Sequence, residues 1–286
     1  MFYGGSNPAN STSVSTYKYV YQNAAVALAT NLPLQRTQNQ SAGNTTTGYV
    51  FGGAATLGSP TNTVYVYTYA GDTVASGTNA SSRVLGAACG NATVGVVGGG
   101  YNGSYTNTTF AYTYAGQTTA AGSNLAQTTR AEPAASATTS NGYFYGGGNA
   151  GGTFYNNTDI FAFSGNTVTP GTNLNTIRGQ AAACGDPNHA IIGGGVNSSG
   201  TTVNSTSKYT YSGNTCVGAT NLTYTGQDLG AASNATNGVF TGGDLSGSGA
   251  LTSTSLYTFG NDTAAAGTNT AGFKYWSGTS NPPGHL

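Results

Sequence analysis

Charge is what this chain has least of. Asp, Glu, Lys and Arg make up 5% of its 286 residues, seven cations against seven anions, where an ordinary protein carries roughly 25%. A zero net charge disfavours nucleic acid as a partner, and solubility must rest on Ser, Thr and Asn. Three cysteines, an odd number, make no disulfide framework; Cys89 and Cys184 read as buried thiols. Two histidines, His189 and His285, show no metal-ligand spacing, so no metal or cofactor is expected. No apolar run approaches the roughly 20 residues of a membrane span. The chain opens Met1-Phe2-Tyr3-Gly4-Gly5 without the basic and apolar segments of a signal peptide.

What is abundant is glycine and tyrosine. The 46 glycines, 20 Tyr and 10 Phe sit in a sequence that is 37% hydrophobic, enough apolar surface to exclude a disordered polar tract. Six short apolar runs end in glycine doublets, at Gly4-Gly5, Gly52-Gly53, Gly98-Gly99, Gly146-Gly147, Gly193-Gly194 and Gly242-Gly243, at intervals of 48, 46, 48, 47 and 49. So steady a period means one supersecondary unit copied six times, and a repeat that runs through residues 1–286 is expected to form one domain.

Each copy reads as four short strands. Around the fourth doublet these are the small-residue stretch before Cys184, then Ala190-Ile191-Ile192, Lys208-Tyr209-Thr210-Tyr211 and Thr215-Cys216-Val217, with Gly, Asn and Asp between them. Period-two alternation of β-branched and aromatic residues argues for strand over helix. The first strand is built of Ala, Ser and Gly, as a strand crowded around a central axis requires. The expected fold is therefore all-β, a six-bladed β-propeller. The chain starts at a second strand and ends after a first, so the C-terminal segment around 274–279 should supply the innermost strand of the blade whose other three come from the N-terminus.

The order of arginine, small-residue strand, apolar run, Gly-Gly, long loop and Tyr-containing strand resembles the kelch motif over essentially the whole chain. It departs from that motif in lacking the fourth-strand tryptophan; Val74 and Val168 stand there, and the only Trp is Trp276. The wording of residues 67–79 is similar to kelch-like repeats of uncharacterised virion proteins of tailed phages, especially those of marine and cyanobacterial hosts. That resemblance implies a virion component, made in the host cytoplasm, whose partners are other virion proteins or a host surface glycan.

Two sets of residues are candidates for binding. Five of the seven cations, Arg36, Arg83, Arg130, Arg178 and Lys274, fall just before a first strand, at the blade end that also carries the long loops between second and third strands. They can focus anions such as phosphate, uronate or sialate toward the axis, or they can hydrogen-bond loop carbonyls and lock neighbouring blades. A residue repeated with the motif favours the second role. The loops at 6–16, 54–63, 101–109, 149–159, 196–207 and 244–255 vary between copies, and Tyr101, Tyr105 and Tyr155 bring aromatic faces among amides and hydroxyls. That mixture grips sugars, although solvated loops carry the same composition. Catalysis finds little support: none of the seven acids repeats or pairs closely in sequence, and no phosphate-loop or Asp-box pattern occurs. The expectation is a non-enzymatic binding or structural propeller, with a cellular lectin-like or protein-interaction module as the alternative and a glycan-active enzyme third.

Overall fold

The computed structural model describes the chain apart from residues 7–10, 57–58, 128, 247–248, 276 and 279–286, and describes the backbone alone for Ser277 and Gly278. Every regular element among the described residues is a β-strand, and the strands form six antiparallel sheets of four. In one of them Ala182–Gly185, His189–Gly193, Thr206–Thr210 and Thr215–Ala219 lie side by side in chain order. Each first strand touches the first strand of the next sheet, and the sixth returns to the first. The sheets are thus the blades of a closed six-bladed β-propeller.

Blade 1 is assembled from both ends of the chain. Ser277–Gly278 pairs with Phe2–Tyr3 in the register Phe2↔Gly278 and Tyr3↔Ser277, and Thr16–Val20 and Ala25–Ala29 complete the sheet. Trp276 lies outside the described residues. Blades 2 to 6 span 40–76, 87–122, 134–171, 182–219 and 230–266.

The first strands line a narrow channel of about 100 Å³ faced by Ala88, Ala135, Ala183 and Ala231. Small side chains are needed there because the next blade's second strand comes so close. A Cβ on Gly142 would stand 2.6 Å from the Cys89 sulfur, and Cys184 meets Gly238 in the same way two blades on. Both thiols are buried packing groups, and burial pushes Cys89 up to about 12.

The apolar core is divided into six clusters, one between each pair of blades. Between blades 2 and 3, Tyr49 and Phe51 pack on Phe110, Tyr112 and Tyr114, with the Tyr49 and Tyr114 rings stacked 4.2 Å apart. Each aromatic buried this way stabilises the interface by about 1.5–3 kcal/mol. In the recurrent Tyr-Thr-Tyr segment the first aromatic is the last but one residue of the strand and the second begins the following turn. That turn takes its left-handed residue at Ala24, Asp72, Gln117, Asn166, Asn214 and Asp262, in four of the six copies one place after the turn glycine. Asp72 then accepts from the Tyr67 hydroxyl and from the Thr30 amide of the preceding connection at 2.9 Å, stapling the rim.

The glycine register differs from the sequence reading in two copies. The paired left-handed glycines are Gly4-Gly5, Gly52-Gly53, Gly99-Gly100, Gly146-Gly147, Gly194-Gly195 and Gly242-Gly243, which evens the intervals to 48, 47, 47, 48 and 48. In these two copies three glycines run together and the first belongs to the strand: Gly98 is packed against Phe144, and Gly193 against Leu222 and Phe240.

Candidate functional site

The doublets work as two-way connectors. The first amide of each closes its own loop, as in Gly52 N–H to Thr63 O at 2.9 Å, and the second donates to the blade ahead. Gly5, Gly53, Gly100, Gly147, Gly195 and Gly243 donate to the carbonyls of Arg36, Arg83, Arg130, Arg178, Gly226 and Phe273, all at 2.6–2.8 Å. These six acceptors define one repeat position. Lys274 is therefore not the sixth copy's equivalent of the arginines, as its place in the sequence suggested. Phe273 holds that register, and Lys274, one residue on, pairs with Asp244 at 3.0 Å.

The four arginines are 0–2% exposed; three of them tie a blade to its own doublet, and Arg36 donates to Gln35 O and Thr63 Oγ1. Arg83 Nη1 donates to Gly99 O at 2.6 Å, Arg130 Nε to Gly146 O at 2.8 Å and Arg178 Nη1 to Gly194 O at 2.5 Å. In the copy whose register residue is Gly226 the Tyr224 hydroxyl reaches Gly242 O at 3.3 Å. What faces each guanidinium differs. Arg36 and Arg83 lie over the rings of Tyr65 and Phe110, at 5.6 and 5.7 Å from centroid, whereas Arg130 forms a buried ion pair with Asp159. Burial lowers Arg83, Arg130 and Arg178 to about 10, leaving them charged at neutral pH. Covered to this degree, the cations present hydrogen bonds to carbonyls of the protein and little surface to a ligand; Lys274 is 8% exposed.

The long loops rise on the same face. Each is pinned at its base by an isolated bridge to the connection that enters its own blade, among them Ala54 to Thr37, Tyr101 to Val84, Gly148 to Ala131 and Val196 to Gly179. Tyr101 and Tyr105 are partly exposed and form an edge-on pair with centroids 5.4 Å apart. Tyr155 is also partly exposed, but its backbone is engaged by Gly147 and Arg178. Phe154, passed over in the sequence, is pressed onto Gly148 and Gly179.

A further ring surrounds the channel mouth. Two residues after each register position the backbone turns left-handed, at Gln38, Leu85, Glu132, Gln180, Asp228 and Tyr275, with φ between 55° and 58°. Amides pass head to tail around it: Tyr275 N–H to Asp228 O, Asp228 to Gln180, Gln180 to Glu132, Glu132 to Leu85 and Gln38 to Tyr275, at 2.7–3.2 Å. The side chains of this ring edge a cavity of about 100 Å³.

Acidic chemistry collects here. Asp72 and Asp262 staple outer turns, Asp186 caps the turn before His189, and Asp159 and Asp244 are paired with Arg130 and Lys274. The two remaining acids, Glu132 and Asp228, occupy the same repeat position, which corrects the reading that no acid repeats. Burial raises Asp228 well above the ordinary carboxylate range; Glu132 and Asp244 add to the rise, and Lys274 and a hydrogen bond with Tyr275 oppose it. Glu132 is also raised by burial, against a hydrogen bond with Gln180. The signal for this pair lies in its offset from the arginine register. Among the described residues no three His, Cys, Asp or Glu side chains converge to hold a metal, and no helix is long and apolar enough to cross a membrane.

No family model matches the chain, and no curated protein matches its sequence. Among solved structures, that of YjhT superposes with a TM-score of 0.73 over 89% of this chain and 91% of the other. At 14% identity this likeness is one of fold.

Proposed function

We propose that this propeller is a non-enzymatic binding component of a phage-like virion, which applies its loop face to a host surface glycan or to a neighbouring coat or tail protein. The observation that carries this reading is the contrast within each loop: bases pinned by recurrent doublet and bridge hydrogen bonds, and a sequence beyond them that differs in every copy. A rigid frame with variable loops holds a binding surface at small entropic cost. Tyr101 and Tyr105 offer the partly exposed aromatic faces that stack on sugar rings, among loop amides and hydroxyls that bond sugar hydroxyls. The phage association is supported by the wording of the repeats.

A glycan array probed with the whole chain and with Tyr101→Ala and Tyr105→Ala variants tests the surface. Binding that weakens in both variants is expected; an array with no binding at any protein concentration removes the glycan reading. Mass spectrometry of purified virions from the source virus tests the setting, and absence of the chain from particles refutes it.

A further inference from the structure

The channel mouth holds more hydrogen-bond acceptors than its own donors satisfy. Asp228, 8% exposed, engages Tyr275, and its Oδ2 is buried without a partner. Asn39, 5% exposed, also lines this cavity; its Nδ2 donates to Tyr3 O at 3.3 Å, and its Oδ1 is buried and unbonded. Gln38 Oε1 is a third unpartnered acceptor there. Glu132 adds a second carboxylate across the ring. Unpaired buried acceptors cost about 1–3 kcal/mol each, so a site with three of them, one on Asp228, and Glu132 as a second acid is built for something that donates and carries positive charge.

From this geometry we infer that the axial mouth is a binding site for a primary ammonium group. An ammonium has three N–H donors and no acceptor, matching Asp228 Oδ2, Asn39 Oδ1 and Gln38 Oε1 in number and sign. Leu85, Pro133 and Leu229 line the rest of the cavity and suit an alkyl stem. Its volume of about 100 Å³ lies far below the roughly 300–1,000 Å³ of pockets that enclose a drug-sized ligand, which excludes a whole sugar ring but admits an ammonium with a short stem. A metal ion is the less suitable occupant, because only two carboxylates face the cavity and the other oxygens are neutral amides and a phenol. Lys274, already bound to Asp244 close by, shows an ammonium group held by the same kind of carboxylate. The ammonium can come from a free small amine or from a lysine side chain of a partner protein, and either binds independently of any glycan held by the loops.

Isothermal titration of the full chain with n-butylammonium chloride, against sodium chloride at equal ionic strength, tests the assignment. Saturable binding is expected, weakened roughly tenfold or more by Asp228→Asn and by Glu132→Gln, while Tyr101→Ala leaves it unchanged. Nα-acetyl-lysine methylamide distinguishes the sources: affinity similar to that of butylammonium supports a lysine side chain, and affinity for butylammonium alone supports a free amine. Heat no greater than that of sodium chloride, binding indifferent to both acid variants, or tight calcium binding without amine binding each overturns the proposal.

Discussion

Arg130 offers the sharpest test of how the blades are held. Arg130→Met keeps much of the aliphatic stem and removes the guanidinium. The carbonyls of Gly146, Phe144 and Asn157 each lose a donor, and Asp159, 1% exposed, keeps its charge with only the Ala126 amide near it. Breaking a buried pair from one side costs about 3–5 kcal/mol. An unfolding entropy of roughly 2.1 cal/mol/K per residue gives about 0.6 kcal/mol per degree for a chain of this length, so the melting temperature should fall by about 5–8 °C. The same change at Arg83, whose side chain faces Phe110 and no acid, should cost about 1–3 kcal/mol, or about 2–5 °C. Adding Asp159→Leu to Arg130→Met removes the stranded charge and should recover part of the loss. Scanning calorimetry of the four proteins measures all of this. Equal shifts at Arg130 and Arg83, or a double variant that melts below Arg130→Met, would refute the assignment of the larger cost to the unpaired carboxylate.

Other outcomes can be stated more briefly. Gly146→Ala forces a Cβ at φ +57° against the Arg178 carbonyl, which should cost more than the 1–2 kcal/mol or so of a left-handed residue. Gly165→Ala, whose nearest contact is Thr167 at 3.5 Å, should stay within about 0.5 kcal/mol; similar melting temperatures for the two would contradict the doublet geometry. The folded-state value of Asp228 is raised above its ordinary 3.8, so its contribution to stability is full below about pH 4 and is lost as pH climbs through the raised value. Asp228→Asn should therefore gain on the parent chain between pH 4 and pH 8, with Glu132, Asp244, Lys274 and Tyr275 still around it; a pH-independent difference would count against this. Ending the chain at Phe273 deletes the strand that pairs with Phe2–Tyr3 and should abolish the cooperative melting transition, so an unchanged melting curve would contradict the closure.

The fold was legible because its determinants are periodic and chemically loud. Gly-Gly, Tyr-Thr-Tyr and small-residue strands recur at a spacing that only a repeated blade explains, and the offset between first and last copies foretold the shared blade. Register was less legible. A run of three glycines hides which two take positive φ, and only packing of Gly98 and Gly193 against neighbouring rings and leucines settles it. Lys274 looked like a sixth-copy arginine because a cation one place out of register is indistinguishable from one in register until the acceptor of the Gly243 amide is known. The channel-mouth ring left no mark at all in composition. Gln, Leu, Glu, Gln, Asp and Tyr have no single side-chain chemistry in common, and what all six share physically is a left-handed backbone.

The shared blade also sets how the molecule responds to force. Phe2 and Gly278 form the outer pair of an antiparallel clasp two residues long, and the chain leaves both strands at that same end. Tension applied between the segments on either side opens the clasp one pair at a time, like a zip, and meets little resistance. Tension applied between a single end and the loop face is instead distributed over the packed interfaces between blades. A propeller closed in this way withstands tension best when tethered by one end, with the other left slack.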